Sequence, residues 1–191
     1  RAFLAGGSAL AEVAALGSSQ AWAARGGTPA PALPDLPFAS ALEAARAIRR
    51  REVSSVELTK QVLERIERLN PKLNAIVTLV KDDALVRARA ADDALARGEW
   101  WGPFHGVPCT IKDTFEVAGV RTTAGSTSLA NYVPQRDADV AARFRAAGAV
   151  ILGKTNVPEM AGDWQSYNDV FGTSNNPWDL ARTPGGSTGG E

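Results

Sequence analysis

Helical and strand-like segments alternate along the chain from residue 38 onward, and this alternation restricts it to few folds. The helical segments carry apolar residues at helical spacing, whereas the strand candidates are short runs rich in Val, Ile and Leu. The helical segments are residues 39–51, 54–69, 82–97 and 138–147, and the strand candidates are residues 75–80, 107–111 and 149–152. The runs 75–80 and 149–152 are expected to be buried strands. Such alternation is typical of an α/β fold in which helices cover a sheet.

Helix-end signals set the boundaries of these segments. Ser54-x-x-Glu57 is a capping box that begins the second helix. Asn70-Pro71 is expected to end that helix, because proline lacks the backbone N–H that a helix interior requires. Gly98 and Gly148 follow the next two helices, where glycine is favoured.

The first residues resemble a targeting segment. Arg1 precedes a moderately apolar run, and Ala21-Trp22-Ala23 has the small-x-small pattern of a cleavage site. Residues 1–23 are therefore interpreted as an export signal of twin-arginine type, which predicts a periplasmic or secreted protein. A ragged terminal helix and a cytoplasmic location are the alternative. The run is too short for a stable membrane anchor, and the Pro- and Gly-rich residues 24–37 are interpreted as a linker.

Composition excludes several kinds of site. The chain has 21 basic and 21 acidic side chains, so nothing in its charge favours nucleic acid as a partner. One histidine and one cysteine cannot form a multi-histidine or thiolate metal site, and no metal or other cofactor is expected. Catalysis would have to depend on Ser, Thr, Lys, Asp or Glu.

Lys112 has an unusual position for a lysine. It lies at the end of the strand candidate 107–111, and the chain has few lysines beside many arginines. Burial disfavours the ammonium form, and a neutral lysine can act as a general base. The alternative is an ion pair between Lys112 and Asp113 at the edge of the sheet.

Residues Gly148 to Thr155 match the phosphate-loop pattern G-x-x-x-x-G-K-[ST], with Lys154 as its lysine. In that motif the four intervening residues form a loop whose amides wrap phosphate. Here they are Ala-Val-Ile-Leu, which favours a strand. Nucleotide binding is therefore only a remote alternative.

Glycine pairs flank two hydroxyl side chains in the run Gly185-Gly186-Ser187-Thr188-Gly189-Gly190. Glycine permits positive φ and close backbone approach, so the run could present a hydroxyl from an unusual main chain. A flexible linker or an anion-binding nest would have the same composition.

Taken together, the motifs of residues 38–191 resemble the amidase signature family. This resemblance implies a mixed β-sheet covered by helices, of which this chain would be the N-terminal part, and hydrolysis of amide bonds. The motifs occur in the family's order: Gly102-x-x-x-Gly106-Val107-Pro108-x-x-x-Lys112-Asp113, Thr122-Thr123-Ala124-Gly125-Ser126, Gly153-Lys154-Thr155-Asn156-x-Pro158-Glu159, Gly172-x-x-x-Asn176-Pro177-Trp178 and Pro184-Gly185-Gly186-Ser187-Thr188-Gly189-Gly190.

The resemblance also implies roles for particular residues. The family's catalytic lysine corresponds to Lys112, and its bridging serine, which follows a cis peptide bond, corresponds to Ser187. Neutral Lys112 would accept a proton through Ser187 from a nucleophilic serine, which forms an acyl-enzyme that water hydrolyses. His105 is then a loop residue without a catalytic role, and Cys109 is a core residue.

The family's nucleophile lies in an Asp-x-Gly-Gly-Ser segment, which is not found in these residues. The nucleophile is expected beyond Glu191, and the 191 residues alone are expected to be inactive. Ala161, Gly162 and Asp163 correspond to a region that contributes to the family's substrate pocket. The expected substrate is a small amide. The sequence does not identify this amide, and it does not determine the oligomeric state of the protein. The alternative function is that of the related amidotransferase A subunit, which supplies ammonia to a transamidation complex.

Overall fold

A computed structural model describes residues 39–190 of the chain. The predicted export signal, residues 1–23, and the predicted linker, residues 24–37, lie outside this part. The helices within it are α1 (Ala41–Arg49), α2 (Ser55–Leu73), α3 (Lys81–Ala96) and α4 (Asp139–Ala146). The strands are β1 (Ile76–Leu79), β2 (Pro108–Lys112), β3 (Val150–Thr155), β4 (Tyr167–Asn168) and β5 (Gly172–Thr173). Short 3-10 helices occupy Thr127–Leu129 and Glu159–Ala161.

The main sheet has the order β1–β3–β2. Strand β3 is antiparallel to β1 and parallel to β2, so the sheet is mixed, as predicted. The parallel register places Lys112 opposite Thr155. The carboxyl ends of β2 and β3 therefore meet at one edge of the sheet, where polar residues of both strands can come together. Strands β4 and β5 form a separate antiparallel ribbon.

Helices cover the sheet because alternate residues of β3 face opposite sides. Val150 and Leu152 pack with buried residues of α2 and α3, whereas Ile151 packs with Ala141 of α4. All six residues of β3 are buried. This strand is consequently the centre of the core, and the α/β prediction is confirmed.

The predicted end of the second helix is wrong. Helix α2 continues through Pro71 to Leu73 and ends at Asn74, which has the left-handed conformation with φ 49°. Proline removes only the bond to the carbonyl of Glu67, and both residues are exposed, so water can hydrate that carbonyl. The Asn70 carboxamide then accepts hydrogen bonds from the amides of Ala75 and Ile76, which turns the chain into β1.

Strand β1 also differs from the prediction of a buried strand, since it lies at an edge of the sheet with half-buried or exposed residues. Among the helices of residues 39–190, none combines the length and apolar character needed to cross a membrane.

Candidate active site

Lys112 and Ser187 meet at the carboxyl edge of the main sheet. Lys112 is the last residue of β2, and its Nζ donates a hydrogen bond to Ser187 Oγ at 2.7 Å. Both side chains are half-buried, so the pair is shielded but can be reached from solvent. A lysine amine and a serine hydroxyl at this distance can exchange a proton.

The loop that carries Ser187 passes very close to its neighbours. The peptide bond between Gly186 and Ser187 is cis. A methyl group at Gly186 would lie 2.6 Å from the backbone carbonyl carbon of Trp164. The loop can therefore take this path only because residue 186 has no side chain. Of the three interpretations of this run, the close packing of Gly186 and the hydrogen bond of Ser187 agree with a loop that presents a hydroxyl.

Asp113, the residue after Lys112, belongs to a separate buried cluster. Its Oδ1 accepts a hydrogen bond from Lys154 Nζ at 3.2 Å, and its Oδ2 accepts from the amide and hydroxyl of Thr123. Lys154 Nζ also donates to Thr122 Oγ1 at 2.8 Å. The alternative prediction of an ion pair between Lys112 and Asp113 is wrong, because Lys154 takes that place.

Lys154 is fully buried, which decides its electrostatics. Both Lys154 and Asp113 have side chains with 0% exposure. Burial lowers the pKa of Lys154, and the negative charge of Asp113 opposes this change. The Lys154 amine is thus held by a carboxylate and a hydroxyl inside the protein.

These contacts contradict the nucleotide-binding alternative. Residues Val150–Thr155 of the phosphate-loop pattern form the buried strand β3, not a loop that wraps phosphate. Lys154 points to Asp113 and Thr122 within the core. The match of letters between Gly148 and Thr155 therefore has no structural counterpart.

Ala161, Gly162 and Asp163 lie beside the Ser187 loop. Ala161 ends a 3-10 helix in which Met160 and Ala161 have positive φ angles of 51° and 58°. The Asp163 carboxylate accepts hydrogen bonds from the amide of Trp164 and the hydroxyl of Tyr167. Because the Trp164 backbone contacts Gly186, this segment and the hydroxyl loop are neighbours. Contact of the three residues with substrate stays a prediction.

His105 and Cys109 have surroundings that fit structural roles. His105 is fully buried; its Nδ1 accepts from the amide of Trp101 at 3.1 Å, which leaves Nε2 to donate to the carbonyl of Ala91 at 2.9 Å. Burial lowers the pKa of His105. Burial raises the pKa of Cys109 to about 12, so its thiolate is scarce at neutral pH. In residues 39–190, no three His, Cys, Asp or Glu side chains are grouped to hold a metal ion.

Sequence reasoning missed a buried polar network around Asn156. Asn156 Nδ2 donates to Ser174 Oγ at 3.0 Å, and Asn168 Nδ2 donates to Asn156 Oδ1 at 2.7 Å. Asn168 Oδ1 accepts from the amides of Val170 and Phe171. These bonds hold the loops after β3 in place. The sequence signal for this network is only that Asn156 comes soon after an apolar run.

The family model described as Amidase matches residues 57–191, and the chain belongs to this amidase family. Among curated relatives, the glutamyl-tRNA(Gln) amidotransferase A subunit of Carboxydothermus hydrogenoformans is 46% identical over 156 residues, which are 82% of this chain and 32% of that protein. The protein of the same name from Methylococcus capsulatus is 50% identical over 148 residues, 78% of this chain and 30% of that protein.

Solved structures of the family share the fold. The peptide amidase from Stenotrophomonas maltophilia is 33% identical with a TM-score of 0.74, covering 81% of this chain and 34% of that one. The 6-aminohexanoate cyclic dimer hydrolase is 33% identical with a TM-score of 0.73, covering 82% of this chain and 31% of that one. The chain thus spans about a third of the length of the relatives it matches.

Proposed function

We propose that Lys112 and Ser187 are two members of a Ser-Ser-Lys relay that hydrolyses the carbon–nitrogen bond of an amide. The observation that carries this proposal is the 2.7 Å hydrogen bond between Lys112 Nζ and Ser187 Oγ. In the proposed relay Lys112 is a neutral general base, and its amine takes the Ser187 proton across the same contact. Residues 38–191 would be the N-terminal part of the catalytic domain.

In the proposed reaction the nucleophile is a serine on the chain that follows residue 191. Ser187 takes its proton while passing its own to Lys112, and the nucleophile attacks the amide carbonyl. Lys112 and Ser187 return the proton to the nitrogen, which leaves as ammonia or an amine. Water then hydrolyses the acyl-enzyme, and the nucleophilic serine is restored.

The first test is the Lys112→Ala variant of the full-length protein, assayed for ammonia release from a panel of small primary amides. Removal of a general base typically costs about 10²- to 10⁴-fold in rate, so we expect kcat to fall by this order. Lys112→Arg is the matched control, because arginine keeps a positive charge but does not lose its proton near neutral pH. Full turnover in Lys112→Ala would contradict the proposal.

The second candidate function is that of an amidotransferase A subunit, which would release ammonia for a partner enzyme. The curated relatives at 46% and 50% identity bear that name, and they support this candidate better than a free-standing amidase. An amidotransferase subunit is expected in the cytoplasm, and a free amidase with an export signal is expected in the periplasm or outside the cell.

Two measurements separate the candidates. Purification of the tagged full-length protein from its own cells should recover stable partner proteins if it belongs to an amidotransferase, and these should stimulate ammonia release. Cell fractionation should then find it in the cytoplasm. Recovery from the periplasm of an active protein without partners would instead support the exported amidase.

A further inference from the structure

A second lysine lies at the same edge of the sheet, and the proposed reaction does not use it. We propose that the buried ion pair of Lys154 and Asp113 is a positioning device that fixes the backbone of Lys112 and directs its amine to Ser187. This inference rests on the proposed function of Lys112. Lys154 precedes Thr155, the residue opposite Lys112 in the parallel register.

The ion pair of Lys154 and Asp113 lies on the face of the sheet opposite to the Lys112 side chain. Successive side chains at a strand end point to opposite faces, so Lys112 and Asp113 diverge. Lys112 is half-buried and reaches Ser187, whereas Asp113 is fully buried and reaches Lys154. If the backbone at Lys112 rotated and moved the amine, the Asp113 carboxylate would have to move as well. That carboxylate lies inside the core, so the rotation is restrained.

Asp113 is anchored at every polar atom. Its amide donates to the carbonyl of Thr155 at 3.1 Å, and its carbonyl accepts from the amide of Ala124 at 3.0 Å. Its two carboxylate oxygens accept from Lys154 and Thr123. The residue after Lys112 is therefore bound to both β3 and the segment 122–124. Only the contact with Lys154 joins two ionisable side chains, and a hydrogen bond between charged groups is stronger than a neutral one.

A stabilising role alone does not account for a charged pair in this place. Apolar residues of similar volume can replace a buried ion pair without loss of stability. The preceding residues Val150 to Leu152 are such apolar residues, and they fill the core of the same strand. A packed apolar side chain cannot form a hydrogen bond that restrains Asp113, whereas Lys154 does.

The test compares two variants of the full-length protein, assayed below the melting temperatures of both. Lys154→Met should lower kcat by roughly 10- to 100-fold, the range that displacement of a catalytic group produces, while KM stays within about twofold. Leu152→Ala is the control for stability, because Leu152 is buried in the same strand and packs in an apolar cluster with residues of α2 and α3. It should lower the melting temperature and leave kcat unchanged.

Asp113→Asn combined with Lys154→Gln should recover most of kcat, because two amides can restore the hydrogen bond without charge. If Lys154→Met does not fold, Thr123→Val provides the test. It keeps the shape of the side chain and removes the hydroxyl that donates to Asp113 and accepts from the amide of Gly125. We expect kcat to fall with KM unchanged, and full kcat would overturn the inference. Three results would each overturn the inference. Lys154→Met could retain full kcat, Leu152→Ala could lose as much kcat as Lys154→Met, or the double variant could be as slow as Lys154→Met. Full turnover in Lys112→Ala would instead refute the proposed function.

Discussion

Two lysines of the same sheet edge have opposite surroundings. Lys112 is half-buried and its amine contacts a hydroxyl, whereas Lys154 is fully buried and contacts a carboxylate. Burial lowers the pKa of Lys154, and the negative charge of Asp113 opposes this change. Residue type alone therefore does not decide the chemistry of either side chain.

The ion pair should be costly to break from one side. Lys154→Met leaves the Asp113 carboxylate buried without its cation, and we expect the free energy of unfolding to fall by about 3–5 kcal/mol. Urea denaturation measures this change. Lys60→Met is the control, because Lys60 is an exposed lysine of α2, and its replacement should change stability by less than about 0.5 kcal/mol. Equal effects of the two substitutions would contradict the prediction.

The buried His105 should make stability depend on pH. Burial lowers the pKa of His105 in the folded protein, so the unfolded chain binds the proton more readily. The stabilising contribution is therefore present above the unfolded pKa of about 6.5 and is lost as pH falls below it. Urea midpoints of the protein and of His105→Gln should differ more at pH 7.5 than at pH 5.5. A difference that does not change with pH would refute this.

At the scale of elements, glycines end two of the helices in different surroundings. Gly98 follows α3 with φ 82°, and Gly148 follows α4 with φ 95°. Nothing lies within 4 Å of a methyl group placed at Gly98, whereas one at Gly148 would lie 2.7 Å from the Cα of His105. Gly98 only ends a helix, whereas Gly148 also allows the chain to lie close to the backbone of His105.

Replacement by alanine should separate these two requirements. Gly98→Ala incurs only the left-handed backbone conformation, which costs about 1–2 kcal/mol. Gly148→Ala adds overpacking against the His105 backbone and should lose a further ~1–3 kcal/mol. Thermal unfolding of both variants checks the difference. Equal melting temperatures would show that the close approach of residues 105 and 148 is not important.

At the scale of the whole molecule, protection from solvent is unevenly distributed. Strand β3 is buried along its full length between two other strands, whereas residues 177–183 are exposed and Trp178 is 93% exposed. Since local opening is easiest where few buried contacts resist it, the centre of the sheet should open last.

Hydrogen exchange followed by mass spectrometry can test this distribution. Peptides that cover residues 150–155 should exchange slowest of the described part of the chain, and peptides that cover residues 177–183 should exchange fastest. Peptides of the edge strand β1 should fall between them. Fast exchange in β3 would contradict its position at the centre of the core.

Much of this architecture could be predicted from local patterns. The apolar runs at residues 75–80, 107–111 and 149–152 are all strands, and their predicted ends are within a few residues of the observed ones. The end of α2 could not be predicted from Pro71, because the exposure that makes this proline tolerable depends on the surroundings of the helix. The family, with Lys112 and Ser187 as its matching residues, could be predicted only because several motifs occur in one order.

The sequence by itself determined the four helices, apart from the end of α2, the three strands of the main sheet and the glycine-flanked hydroxyl loop, because period, caps and turn chemistry act between residues close in the chain. The tertiary structure decided which polar groups meet. Lys112 and Ser187 are 75 residues apart, and Asp113 and Lys154 are 41 apart. Parallel register of β2 and β3 brings both lysines to one edge, and burial then gives one of them a carboxylate and the other a hydroxyl. No local sequence pattern predicts which lysine meets the carboxylate and which meets the hydroxyl.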